Sequence, residues 1–208
     1  MLVEILPVGM LQTNCYLAGC EETRAAVIID PGGHPQRILG AVERHGLTVK
    51  YVLNTHGHFD HTDANKAIVE ATGAPLAAHA LERPLLQAAG GAAMFGLAGK
   101  AGPEPDIDLK DGDELVVGTL RFQVLHAPGH TPGHICFYED TEKVLFDGDV
   151  LFYRGIGRAD LPGGDPEQLL ASIHRVLYTL PDETTVYSGH GQATTIGEEK
   201  RHNPWVRG

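Results

Sequence analysis

The chain has 208 residues, 42% of them apolar, and a formal charge of −11 from 16 Lys and Arg against 27 Asp and Glu. That length and apolar content suit one sizeable domain with a buried core, and no charge run or polar tract points to disorder. The acidic balance argues against a protein that grips phosphate backbones, although cations bound in a site reverse the local sign.

The N-terminal stretch "MLVEILPVGMLQTNCYL" lacks the basic start and continuous apolar core of a signal peptide, and no apolar run is long enough to span a bilayer. Cys15, Cys20 and Cys136 are odd in number and form no CxxC pair, so they read as small core residues rather than a disulfide framework. A reducing cytoplasm is the expected setting.

In chain order, Leu2–Leu6, Cys15–Ala18 and Ala25–Ile29 read as short strands, the last running into the turn "DPGG". Pro35–His45 reads as a helix, with Ile38, Leu39 and Val42 on one face and Gly46 past its end. Tyr51–Leu53 is a buried strand, Asp63–Thr72 a helix stopped by Gly73, Pro75–Ala78 a strand and Leu81–Ala89 a helix. Gly90–Asp106, rich in Gly, Ala and Pro, is either a mobile loop over a site or an ordinary surface connection. Strands follow near Glu114–Val117, Leu120–His126, Ile135–Tyr138 and Val144–Phe146. Asp165 can cap a helix from Pro166 to Leu180, and Thr185–Tyr187 is a last strand. With no linker between the halves, residues 1–208 are expected to form one domain of two packed sheets flanked by helices.

The segment "THGHFDH", Thr55–His61, carries His56, His58, Asp60 and His61 at the carboxyl end of a buried strand. Two residues apart in extended backbone, His56 and His58 share a face and can reach one ion. Three later segments place a ligand-type residue beside glycine, which lets the backbone approach closely: "HAPGHTPGH" at His130, "LFDGDV" at Asp149 and "YSGHG" at His190. Imidazole and carboxylate donors suit zinc first, and also iron or manganese. Seven ligands exceed the needs of one tetrahedral ion and suit two divalent ions sharing a carboxylate and a hydroxide. The division expected is His56, His58 and His130 on the first ion, Asp60, His61 and His190 on the second, and Asp149 between them. His134, aimed elsewhere by the Thr131–Gly133 turn, reads as a structural hydrogen-bonding group. His34, His45, His79, His126, His174 and His202 show no ligand spacing. Asp30 either orients a ligand histidine or stabilises its own turn.

With HxHxDH followed by separated His, Asp and His, the sequence resembles the metallo-β-lactamase superfamily over nearly the whole chain, from "TNCYL" and "DPGG" onward. "PGHTPGH", "GDVLFYRGIGRADLPGGD" and "GHGQATTIGEEKRHNP" make it most similar to small type II glyoxalase-like proteins, relatives of hydroxyacylglutathione hydrolase. The resemblance implies an α/β (α+β) fold, an αββα sandwich, with a dinuclear site along one sheet edge. It also implies a hydrolase of thioesters such as S-D-lactoylglutathione, with Asp60 ligating an ion and orienting the nucleophile. The separate helical glutathione-binding domain of full-length glyoxalase II is not expected within these 208 residues. The family's glutathione-binding lysine falls at Arg158, one tyrosine at Asp160 and another at Gln192. Arg158 or Arg154 is then a candidate for holding a substrate carboxylate, the alternative being a salt bridge to Asp160 or Asp165. "RGIGRAD" also resembles the persulfide dioxygenases, which hold one iron through residues that His56, His130 and Asp149 could supply; a lactonase is a nearer variant. The expected partner is a small-molecule substrate rather than nucleic acid or membrane, and the sequence is silent on oligomeric state.

Overall fold

The computed structural model describes residues 1–99 and 101–208; Lys100, inside the expected loop Gly90–Asp106, lies outside the described residues. Six strands form the first sheet in sequence order: β1 (Leu2–Val8), β2 (Thr13–Gly19), β3 (Ala25–Ile29), β4 (Thr48–Leu53), β5 (Leu76–His79) and β6 (Ile107–Leu109). β1, β2 and β3 pair antiparallel, and β3 to β6 run parallel. Parallel neighbours need crossovers. These are supplied by α1 (Pro35–His45), by the pair α2 (Phe59–Thr62) and α3 (Asn65–Thr72), and by α4 (Arg83–Gln87) with its flanking 3-10 turns.

The second sheet has the order β14-β13-β10-β9-β8-β7. Its strands are β7 (Glu114–Val117), β8 (Leu120–His126), β9 (Ile135–Glu139), β10 (Val144–Gly148), β13 (Thr185–Ser188) and β14 (Thr194–Thr195). Between β10 and its parallel neighbour β13 lie a two-stranded hairpin, β11 (Leu151–Phe152) with β12 (Gly155–Ile156), and helix α5 (Pro166–Arg175); α6 (Ile196–His202) closes the chain.

Alternation along each strand divides the core into three layers. Val27 and Ile29 of β3 point between the sheets, against Phe122, Phe137 and Phe146 of the second sheet. Ala26 and Ile28, on the opposite face, pack under Ile38, Ala41 and Ile68 of α1 and α3. On the far side Cys136, Leu145 and Val186 pack under Leu169 and Ile173 of α5. Helix, sheet, sheet and helix are thus stacked in the αββα order. All three cysteines are free and buried, and no helix among the described residues is long and apolar enough to cross a membrane.

Several element boundaries differ from expectation for local reasons. The helix expected over Asp63–Thr72 begins at Asn65 and is preceded by the one-turn α2, which carries Asp60 and His61. The helix expected over Leu81–Ala89 shortens to Arg83–Gln87, with Pro84 in its first turn, where a missing N–H does no harm. Residues 166–180 form a helix only to Arg175, followed by a 3-10 turn at Leu177–Thr179. The start of α5 is as expected: the Asp165 carboxylate accepts from the N–H groups of Glu167 and Gln168 at 2.9 and 3.0 Å. In the Gly90–Asp106 segment, 3-10 turns run over Ala89–Phe95 with a kink at Gly90 and Gly91.

Phe146 is fully buried between the sheets, with its ring 5.2 Å from Tyr16, 5.4 Å from Tyr187 and 6.2 Å from Phe122. Truncating it opens a cavity that both sheets line. Phe146→Ala is therefore expected to lower stability by about 3–5 kcal/mol, as read from urea denaturation midpoints at unchanged slope.

Candidate metal centre

Strand ends from both sheets meet at one edge. β4 ends at Leu53, and the chain turns through Asn54 and Thr55 to His56, His58 and α2. His130 lies between β8 and β9, Asp149 follows β10 and His190 follows β13. Backbone bonds stitch these ends together: the Asp30 N–H donates to Leu53 O at 2.9 Å, Ile135 to Thr55 at 2.9 Å, Asn14 to Gly189 at 2.7 Å and Gly189 to Gly148 at 2.7 Å. Gly189 has no side chain for a packing reason, since a Cβ there would lie 2.2 Å from Asp149 Oδ1. Gly148, with φ +55, needs glycine on both conformational and steric grounds, because a Cβ would meet Thr55 Oγ1 at 2.4 Å.

All seven residues that the sequence marks as ligands come together at this edge. His130 Nε2 lies 3.2 Å from His56 Nε2 and 2.9 Å from His58 Nδ1. Asp60 Oδ2 lies 3.4 Å from His61 Nε2 and 3.2 Å from His190 Nε2. Asp149 faces both groups: its Oδ1 is 3.4 Å from His61 Nε2, and its Oδ2 is 3.7 Å from His130 Nε2 and 3.6 Å from His190 Nε2. Tetrahedral coordination with bonds of about 2.0–2.1 Å sets neighbouring donor atoms about 3.3–3.4 Å apart, and these spacings bracket that value. His61 Nε2 and Asp149 Oδ1 are buried and have no hydrogen-bond partner among the described residues. Buried polar atoms are rarely left so. Donor chemistry, spacing and orphaned atoms together fit a pair of divalent cations.

The outward edges of His61, His56 and His130 are fixed by partners. His61 Nδ1 donates to Asp30 Oδ2 at 2.9 Å. The same oxygen accepts from the Thr55 hydroxyl at 2.7 Å, which leaves Thr55 Oγ1 to accept from His56 Nδ1 at 3.0 Å. One carboxylate thus sets the tautomers of a histidine in each group, leaving both Nε2 lone pairs facing inward. Asp30 also accepts from the Thr55 N–H at 2.8 Å, so it both shapes the turn and orients the ligands. His130 Nδ1 donates to Arg158 O at 2.7 Å. His134 is no member of either group; its Nε2 accepts from the Asp149 N–H at 3.1 Å and holds that backbone in place.

Burial pushes the His56 imidazole well below its ordinary range and that of His58 down to about 3, with the neighbouring histidines adding to the effect. Burial lowers His130 too, only partly offset by Asp149. His61 goes the other way: burial disfavours its charge, but Asp149, Asp60 and Asp30 more than compensate and raise it well above the usual 6.5. His190 is also raised, its burial outweighed by the hydrogen bond to Asp60 and the charge of Asp149. Burial would raise Asp60, yet His61 and His190 hold it at about 2.

Glu82 is a member of the site that sequence reasoning missed. It is 1% exposed, and its two oxygens accept from the N–H groups of Gly57 and Gly133 at 2.7 Å each. Those glycines sit in the two loops that carry His58 and His130, so this carboxylate clamps the loops together. Within "AAHALERPLL" nothing distinguishes it from a surface glutamate; the signal lies in contacts with residues 25 and 51 positions away. The two candidate substrate arginines separate. Arg158 lines the cavity over the site but is engaged by Asp160 through two bonds of 2.8 Å. Arg154 is paired with Glu198 and is not among the residues lining the cavity.

In the metal-free protein a cation entering the Asp60, His61 and His190 group must displace the His61 proton, so affinity there rises with pH. The His56, His58 and His130 group is already neutral and gains little. Calorimetric zinc titration at about pH 6 and about pH 8 should show one site tightening by up to about tenfold per pH unit per displaced proton and the other nearly constant. The clamp makes a separate prediction, because Glu82→Ala strands two buried N–H groups. It should lower stability by roughly 2–4 kcal/mol and loosen the first group selectively, read by thermal melting and by zinc affinity of each site.

The profile of the metallo-beta-lactamase superfamily matches residues 8–190. The chain is 42% identical to a protein named hydroxyacylglutathione hydrolase GloC from Haemophilus influenzae, over 99% of this chain and 98% of that one. Among solved structures, BLEG-1 B3 metallo-beta-lactamase superposes with a TM-score of 0.94 at 41% identity, covering 100% of both chains. TTHA1623, solved in a di-iron-bound form, gives 0.89 at 43% identity and covers 98% of this chain and 100% of that one. ETHE1 from Myxococcus xanthus gives 0.81 at 39%, covering 98% and 84%. With the fold, the converging donor atoms and these likenesses in agreement, the chain belongs to the metallo-beta-lactamase superfamily.

Proposed function

We propose that this chain is a metal-dependent hydrolase of thioesters, S-D-lactoylglutathione among them, with His56, His58 and His130 holding one divalent ion, Asp60, His61 and His190 the other, and Asp149 between them. The observation that carries the reading is the convergence of these seven side chains into two overlapping donor groups that open on one cavity. Zinc suits this nitrogen and carboxylate set, iron is the other choice, and either would supply Lewis acidity and a water whose pKa is lowered towards about 7.

The protein's own part is positioning. Asp60 Oδ2 accepts from the Thr13 hydroxyl at 2.8 Å, which fixes the carboxylate where it borders both the second donor group and the cavity. There it orients the attacking water towards the thioester carbon. A C–O bond forms, the C–S bond breaks, and sulfur leaves with the electron pair. The products are a carboxylate, a thiol and one proton. A thiol of pKa about 8.5 departs as thiolate without prior protonation, whereas an amine leaving group wants an acid. The histidines bordering the cavity, His58, His130 and His190, are all assigned to the donor groups, so none remains to supply that proton. This favours thioester over β-lactam, even beside the likeness to BLEG-1.

A second reading is an iron oxidoreductase of the persulfide dioxygenase kind. It is supported by the "RGIGRAD" segment and by a narrower triad in which His130 Nε2 lies 3.2 Å from His56 and 3.7 Å from Asp149. The two readings separate in one experiment, elemental analysis of protein made without metal supplementation, run beside assays on thioesters, a β-lactam and glutathione persulfide. Two ions per chain with thioester turnover supports hydrolysis; a single iron with oxygen uptake supports the rival. Asp60→Asn is expected to cut thioester turnover by at least about a hundredfold, and turnover equal to that of the parent protein would mean that Asp60 does not orient the attacking water.

A further inference from the structure

The cavity above the two donor groups has a volume of about 340 Å³. Its floor is polar, and its walls are not. Leu11, Phe59, Phe95, Phe152, Ile156 and Leu161 line it, contributed by five separate parts of the chain. Leu11 comes from the β1–β2 turn, Phe59 from α2, Phe95 from the 3-10 turns, Phe152 and Ile156 from the β11–β12 hairpin, and Leu161 from the segment beyond it. Phe95 rests on Phe59 with ring centroids 5.5 Å apart, and Phe152 meets the edge of His190 at 6.3 Å. Leu11 and Phe95 are 47% and 45% exposed at the rim, although neither is needed to cover a core layer. Among the described residues lining the cavity, Arg158 is the one cation, and its Nε–Nη2 edge is held by Asp160. Its carbonyl is taken as well, by His130.

A glutathione thioester presents two carboxylates and an ammonium group to such walls. Burying those charges without partners is unfavourable, whereas burying an alkyl or aryl group there is favourable. We propose that the preferred substrates are thioesters whose acyl group is apolar, an alkanoyl chain or an aroyl ring lying between Phe95, Phe152 and Ile156, rather than thioesters selected through a charged thiol carrier. This rests on the thioester reading above but concerns a different part of the site, its walls rather than its donor atoms.

The test is a series of N-acetylcysteamine thioesters, acetyl, butanoyl, hexanoyl and benzoyl, with S-D-lactoylglutathione alongside, on the metal-loaded protein. One fully buried methylene is worth about fourfold, and this groove is open on one side. The value of kcat/KM is therefore expected to rise by at least about tenfold from acetyl to hexanoyl. Phe95→Ala, at a position outside the three core layers, should remove several-fold of that gain. A flat series, or S-D-lactoylglutathione exceeding the hexanoyl ester by tenfold, overturns the inference. Binding of acetohydroxamate and hexanohydroxamate by calorimetry separates it from the thioesterase reading. If no thioester is hydrolysed, tighter binding of the longer hydroxamate upholds the apolar groove while the hydrolase reading falls. Equal binding defeats the groove.

Discussion

Four histidines and two aspartates that are almost wholly buried, with the half-buried His190, aim their lone pairs at the same small volume. Left alone this arrangement is unfavourable twice over, because polar atoms leave water and like partial charges face one another. The protein tolerates it by fixing the outward edges of His56, His61 and His130. Asp30 is the hinge of that solution: through His61 directly and His56 by way of Thr55 it governs one imidazole in each donor group. Three carboxylates surround His61 and raise its pKa despite burial, which marks the site as one that favours positive charge. A positive charge belongs at its centre, and a divalent ion meets the demand more completely than a proton.

The fold serves this constraint by bringing chain ends together rather than by providing ligands from regular elements. Only Asp60 and His61 sit on a helix, a single turn long; the other five follow strand ends or lie in loops. Loops are mobile by default, so precision has to come from elsewhere. Ile135 of β9 bonded to Thr55 and Asn14 of β2 bonded to Gly189 tie a loop of each sheet to a strand of the other, while Glu82 ties the Gly57 loop to the Gly133 loop. The inter-sheet core centred on Phe146 keeps the two edges level beneath them.

What could be read in the sequence follows the range of the interactions involved. Strand runs, the Pro35–His45 helix with Gly46 beyond it and the Asp165 cap depend on neighbours a few residues away, and the structure has them where the local pattern put them. The seven donor residues stand out because histidine beside glycine after an apolar strand has few other uses. Helix α6, absent from the elements expected, does carry a local sign: Thr195 accepts from the Glu198 N–H at 3.2 Å in a T-x-x-E pattern. Strand β6 is only three residues long and exists because β5 lies beside it. Glu82 was illegible, since it depends on partners that spacing does not encode, whereas for Arg158 the pair with Asp160 was one of the two alternatives the sequence offered, and the structure has it.

The division between floor and walls has an electrostatic reason. Two divalent ions would bring four positive charges against the three carboxylates Asp30, Asp60 and Asp149, so the loaded centre would be close to neutral even in a chain of net charge −11. A centre of that kind polarises a carbonyl at short range but exerts little pull on a distant anion. On the proposed thioester reading, discrimination among substrates would then fall to what surrounds the carbonyl. Here that surface is mostly apolar, and the cation beside it is already paired with Asp160. On that proposal a common set of loops would be kept for the chemistry, while the β1–β2 turn, the Phe95 segment and the β11–β12 hairpin would decide which molecule is presented to it.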